Sequence, residues 1–259
     1  NRKNVTLADA NGIELGNITT SEDLIVNAKN DITQTSGTAL TTAGNASLNS
    51  TSGDITLNSP TNKIDGNLSM SGNKVTVDNY NHALTLGDVK AKTSLDITTN
   101  NKDINQANGT SIISDGITTL DSGSADINLD NATNDFKNTV NANGKNVTLA
   151  DVNSVKLGDI NTNKNLNLNT NGNITQTIES IVYIGDQSTF NATLNHDVIL
   201  KNNTNIFNGL VNITANSAII AAESRPFWGK INTRIPTVYL VAQKVEDTQK
   251  LITPIVNAT

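Results

Sequence analysis

Apolar residues recur at every second position along this chain, in short runs. Ile13 and Leu15, Leu24 and Val26, Ile55 and Leu57, Val75 and Val77, Leu84 and Leu86, and Leu95 and Ile97 are such pairs, most with a polar residue between. A period of two puts alternate side chains on opposite sides of an extended backbone, so each run predicts a strand with one buried face. Between the runs lie clusters such as Asn49-Ser50-Thr51-Ser52-Gly53 and Asn169-Thr170-Asn171-Gly172-Asn173. Residues of these types bond to their own backbone and tolerate left-handed conformations, which predicts turns. No stretch of the array follows a helical period, so the expectation is all-β.

The strands repeat as a set. Leu15-Gly16-Asn17-Ile18 returns as Leu86-Gly87-Asp88-Val89 and as Leu157-Gly158-Asp159-Ile160, a step of 71 residues each time. Asp31-Ile32-Thr33-Gln34 returns as Asp103-Ile104-Asn105-Gln106 and Asn173-Ile174-Thr175-Gln176. Asp54-Ile55-Thr56-Leu57 reappears at Asp126 and again at Asp197, with one inserted residue in the middle copy. A sandwich needs one-off strands, and propeller blades carry several aromatics per repeat. The self-similar, aromatic-poor chain therefore predicts a parallel solenoid. With coils of roughly 20–25 residues, each 71-residue unit is expected to make about three coils, and residues 1–216 about ten. The asparagines are expected at tight corners, where a positive φ and amide-to-amide stacking suit them.

Composition narrows this further. Aromatics are 3% of the 259 residues and 43 residues are asparagine, which favours a thin, elongated core over a wide one. The formal charge is −6 and no run of Lys or Arg is present. Nothing would neutralise a phosphate backbone or an anionic bilayer, so neither nucleic acid nor membrane insertion is expected. The absence of cysteine removes disulfides and thiol chemistry. Because the first residues already lie in mid-repeat, with Lys3 to Asp9 matching Lys145 to Asp151, the chain is read as a segment of a longer array.

Near residue 217 the character changes. Only Asn232 and Asn257 among the asparagines lie beyond Asn216, whereas Pro226, Pro236, Pro254 and Trp228 do. Residues 217–259 are expected to form a capping or interaction module, since repeat arrays end in atypical elements that cover the open core. Thr237 to Ala242 reads as a strand and Glu246 to Leu251 as a helical turn or two. Arg225, Phe227 and Trp228, with Tyr239 beyond them, are the candidate binding residues, because arginine beside aromatics is the composition of interface hot spots.

Catalytic and metal chemistry find little to stand on. Asp54, Asp126 and Asp197 recur, but repeats about three coils apart separate them by ~14 Å along the axis, whereas paired glycosidase carboxylates work at ~5–10 Å. We read them as turn or surface aspartates. His82 and His196 occupy non-equivalent positions without partners at ligand spacing. No catalytic residue, metal or cofactor is expected. Asn-x-Ser/Thr triplets stand at Asn4, Asn17, Asn45, Asn67, Asn108, Asn131, Asn146, Asn173, Asn191 and Asn212, and also at Asn49, Asn202 and Asn257. They are candidate N-glycosylation acceptors.

Phrases such as Gly53-Asp54-Ile55-Thr56-Leu57-Asn58 and Gly172-Asn173-Ile174-Thr175-Gln176 resemble the filamentous-haemagglutinin family of bacterial exoproteins, over about residues 1–216. The resemblance implies a right-handed parallel β-helix on the bacterial surface, exported with an outer-membrane secretion partner and serving as the shaft of an adhesin. Some members of that family are asparagine-glycosylated, and others carry a growth-inhibiting toxin at the far end. The expected function is thus a secreted rod that presents a binding surface to a receptor, a glycan among the candidates, on host cells or other bacteria. A carbohydrate-active β-helix is the alternative, and the array shows no cluster of acids, bases and aromatics for it. Ice binding would need Thr-x-Thr ranks, whereas Thr41-Thr42, Thr98-Thr99 and Thr118-Thr119 are adjacent pairs that point to opposite faces.

Overall fold

The computed structural model describes residues 2–79, 82–224, 227–234 and 238–244. All its regular elements are strands, paired in parallel, and they wind into a β-solenoid of about 11 turns. At the inter-strand spacing of ~4.8 Å the body is roughly 50 Å long. The alternation seen in the sequence is what closes the core. In Leu24–Ala28 and Ala46–Ser50 every second residue is buried and the residues between are exposed. Stacked turns line up Leu, Ile and Val inside, with Phe190 and Phe207 meeting edge to face at 6.2 Å.

Two ladders run the length of the rod, and they fix the relation between repeat and turn. On the first, Leu24 and Leu166 are equivalent residues two repeats apart. Seven inter-strand steps join their strands, through Ala46–Ser50, Asn67–Asp78, Leu84–Thr98, Ile104–Gln106, Ile127–Leu129 and Val147–Asp151. On the second, seven steps likewise join Leu15 to Leu157. Leu95, the equivalent of Leu24 one repeat on, belongs to the second ladder, between Val75 and Thr118. Each 71-residue unit is therefore three and a half turns, not the three expected, and successive repeats face opposite sides.

The half turn has a local cause. Asn67–Asp78 lies under Leu84–Thr98 with a register shift between Leu68 and Met70. The same shift recurs between Val140 and Ala142, under Val155–Thr162, and between Val211 and Ile213, under Phe227–Thr233. At each shift one side of the lower turn becomes two sides of the upper one, while the lower turn's third side, Lys63–Ile64, Asp135–Phe136 or Ile206–Phe207, receives no strand above it among the described residues. Where the side at Phe136 stops, its backbone N–H donates to the Asp151 carboxylate at 2.8 Å. Gly87, Gly158 and Gly229 sit over the shifts. A Cβ on Gly158 would lie 2.1 Å from Asn141 Oδ1, and one on Gly229 2.3 Å from Asn212 Oδ1. The Leu-Gly-Asn/Asp phrase that marks the repeat in the sequence is thus the corner where a side divides.

Past residue 217 the ladder continues. Ala218–Ser224 lies on Val198–Leu200, Phe227–Thr233 on Leu210–Ala215, and Val238–Lys244 on Ala218–Ser224. Of the strand expected from Thr237 to Ala242, Thr237 lies outside the described residues and Val238 to Ala242 fall in the last of these, while the helical turn expected at Glu246 to Leu251 lies outside the described residues.

Candidate functional site

The most elaborated polar constellation recurs once per repeat, inside the body. Gln34 and Asn62 exchange two hydrogen bonds, Gln34 Nε2 to Asn62 Oδ1 at 2.7 Å and Asn62 Nδ2 to Gln34 Oε1 at 2.9 Å. Gln106 with Asn134 and Gln176 with Asn205 repeat the pair at the same distances. In each, the asparagine oxygen also accepts a buried backbone N–H at 2.9 Å, from Leu40, Ile112 or Val182. The glutamine Nε2 also donates to the carbonyl of Thr38, Thr110 or Ser180. Buried amides satisfied on both ends hold their loops in one arrangement. These residues escaped the sequence reading, although the glutamine closing Asp/Asn-Ile-x-Gln and the asparagine of Thr61-Asn62, Thr133-Asn134 and Thr204-Asn205 both recur at steps of 70 to 72 residues.

The corners are stitched by Asn and Asp. Asn4 Oδ1 accepts the backbone N–H of Asp23 at 2.9 Å, Asp23 Oδ1 that of Asn45 at 2.8 Å, and Asn45 Oδ1 that of Asn67 at 2.9 Å. Each side chain satisfies a backbone donor one turn above, where the strand ladder is interrupted. Among the described residues only Asn100 and Asn101 are asparagines with positive φ. The corner asparagines are therefore acceptors for the next turn, not left-handed residues.

The recurring acids belong to the same stitching. Asp54 accepts Lys74 N–H at 3.0 Å, and Asp126 accepts Asn146 N–H and Nδ2. Asp197 accepts Asn216 Nδ2 at 2.9 Å and the Ser217 hydroxyl and N–H, and these bonds hold its carboxyl below the ordinary aspartate value. Neighbouring copies are three and a half turns apart, roughly 17 Å along the axis, and on opposite sides. The carbonyls of His82 and His196 accept hydrogen bonds from Asn79 Nδ2 and the Asn216 N–H. Among the described residues no group of three or more His, Cys, Asp or Glu could hold a metal ion. Among the described residues no helix is long and apolar enough to cross a membrane.

Of the candidate binding residues, Arg225 lies outside the described residues. Phe227 and Trp228 open the strand Phe227–Thr233, in register with Leu210 and Val211, and Tyr239 pairs with Ile219. The candidate acceptors divide by what their amides do. Asn131, Asn146, Asn191 and Asn212 commit Nδ2 to Ala107 O, Asp126, Asn169 and Ser188 O respectively. Asn4, Asn17 and Asn45 are exposed and use only Oδ1. Asn67 and Asn173 are half-buried. Asn108 is exposed beside Gly109, a turn glycine at φ 77°.

The third repeat departs from the other two at this same turn. Gly37 and Gly109 are replaced by Glu179, which keeps the left-handed φ at 66°, and Ile178 beside it is 89% exposed.

The family described as Repeats of unknown function (DUF5649) matches three times in tandem, over residues 2–71, 72–143 and 144–214. No curated protein and no solved structure matches the chain.

Proposed function

The chain belongs to the family Repeats of unknown function (DUF5649), and on that premise we propose that it is a segment of a secreted bacterial surface adhesin, a β-solenoid rod that presents a binding surface to host cells or other bacteria. The observation that carries the reading is the unbroken ladder through all three repeats, with every amide lock repeated. Such a body lengthens by roughly 17 Å per repeat without any repeat changing its own contacts, since each touches only its neighbours. That is the property of a shaft. On this reading the parent protein leaves the cell through an outer-membrane secretion partner, and residues 217–259 close the rod or carry its contact surface.

The test is binding of the purified, labelled chain to epithelial cells and to other bacteria. Saturable binding displaced by unlabelled chain supports presentation. Binding that never saturates, on every cell type tried, would refute it.

A further inference from the structure

Among the described residues, one side of the rod carries no charge at its outward strand positions over six turns, between the exposed Lys90, which lies over Ser71, and the exposed Lys230, whose N–H donates to Asn212 Oδ1. On the first ladder Asn105, Asn128, Thr148, Asn167, Thr189 and Asn212 stand directly one above another over six turns. Each is exposed or half-buried. The outward strand positions of the same side from Thr6 to Ser71 are also uncharged. The second ladder differs, with Glu14, Asp78, Asp96, Asp121 and Lys156 at its outward positions. In a chain with 18 basic and 24 acidic residues, this segregation sets the first side apart.

From this we infer that the uncharged side is a docking face for a neutral polysaccharide chain lying along the rod axis. The inference rests on the reading of the chain as a presenting rod and names its partner's chemistry. Asn and Thr each offer both a donor and an acceptor, and the column repeats them every ~4.8 Å over roughly 19 Å from Asn105 to Thr189, while Asn212 at its end holds its amide on Ser188 O and the Lys230 N–H. Among the described residues the side chains of Asn105, Asn128, Thr148 and Thr189 hydrogen-bond to no protein group, so their polar atoms face solvent. A sulfated or sialylated chain would meet a body of net charge −6 with no cation at these six positions. A protein partner would look for aromatic, Met or Arg anchors, and the six positions hold none. What remains is a ligand rich in hydroxyls, without charge, extended and repetitive. Single neutral contacts are weak, so affinity accumulates from many of them along one strand of ligand.

The experiment uses the full 259-residue chain on an array carrying neutral glucans, mannans and galactans beside sulfated and sialylated chains, with binding to epithelial cells measured in parallel. The wild-type chain is expected to bind neutral polysaccharide. The triple variant Asn105→Ala, Asn128→Ala, Asn167→Ala is expected to bind it at least tenfold more weakly, with its circular dichroism unchanged. The control Thr33→Ala, Thr56→Ala, on the second ladder, is expected to bind as wild type. Equal loss in the control, binding confined to sulfated or sialylated chains, or a triple variant that binds normally would overturn the inference. Saturable cell binding with a blank array would overturn it too, while leaving the presenting rod standing. Absence of both would remove both.

Discussion

Replacing Asn134 with alanine strikes the amide lock at the centre of the rod, and its cost follows from counting the stranded groups. Asn134 Oδ1 accepts from Gln106 Nε2 and from the buried Ile112 N–H, and its Nδ2 donates to Gln106 Oε1 and, at 3.2 Å, to the Leu129 carbonyl. After Asn134→Ala, Gln106 Nε2 still has the Thr110 carbonyl. Gln106 Oε1 and the Ile112 N–H are left with nothing. Each buried polar group without a partner costs about 1–3 kcal/mol, so the substitution is expected to cost about 4 kcal/mol. For a chain of this size each kcal/mol moves the melting midpoint by about 2–4 °C, which makes the expected fall about 8–16 °C by far-UV circular dichroism. Hydrogen exchange should localise the loss to the turns holding Gln106 and Asn134, because neighbouring repeats couple only through their interfaces. Gln106→Ala strands fewer groups, since Asn134 keeps Ile112 and Leu129. The double variant should therefore be less damaged than the two single effects added, by about 1–3 kcal/mol. A midpoint shift below about 3 °C for Asn134→Ala, or strict additivity in the pair, would show that the lock does not hold the turns.

Three further outcomes are expected. Gly158→Ala should lower the midpoint measurably, because its Cβ would force Asn141 off the Asp159 N–H that it accepts at 2.9 Å, whereas Gly16→Ala should be near neutral, with no atom within 4 Å of the added carbon; paired thermal melts decide. Glu179→Gly should stabilise the chain by up to about 1 kcal/mol in urea unfolding, since a left-handed backbone is unstrained only for glycine. Asp197 has its carboxyl lowered, so it contributes stability at pH above the ordinary aspartate value of about 3.9 and loses it as the pH falls through the lowered one. The stability gap between wild type and Asp197→Ala should be full at neutral pH and close in acid; a gap that widens in acid would reverse the assignment.

The strands and their stacking were legible because burial enforces a period of two, and runs such as Ile55 and Leu57 show it directly. The repeat was legible for the same reason. The half turn was not, because 71 residues divide plausibly by three, and nothing in Asn67 to Asp78 announces that this strand will support two sides of the next turn. Asparagine was read as a corner residue for its conformational tolerance. The corner needs an acceptor for the backbone N–H one turn above, which Asp supplies equally, and so Asn17 becomes Asp88 and Asp159 at the equivalent position. The lock pairs were missed because Gln34 and Asn62 are 28 residues apart, and only the fold shows that the interval brings them into contact.

Three and a half turns per repeat make copy number a matter of parity. Duplicating or deleting a single 71-residue unit upstream would turn everything beyond it to the opposite side of the shaft, and a change of two units would restore its direction. A gene that gains and loses such units by recombination would adjust reach in steps of roughly 17 Å and, at each odd step, reverse the side on which distal features are displayed.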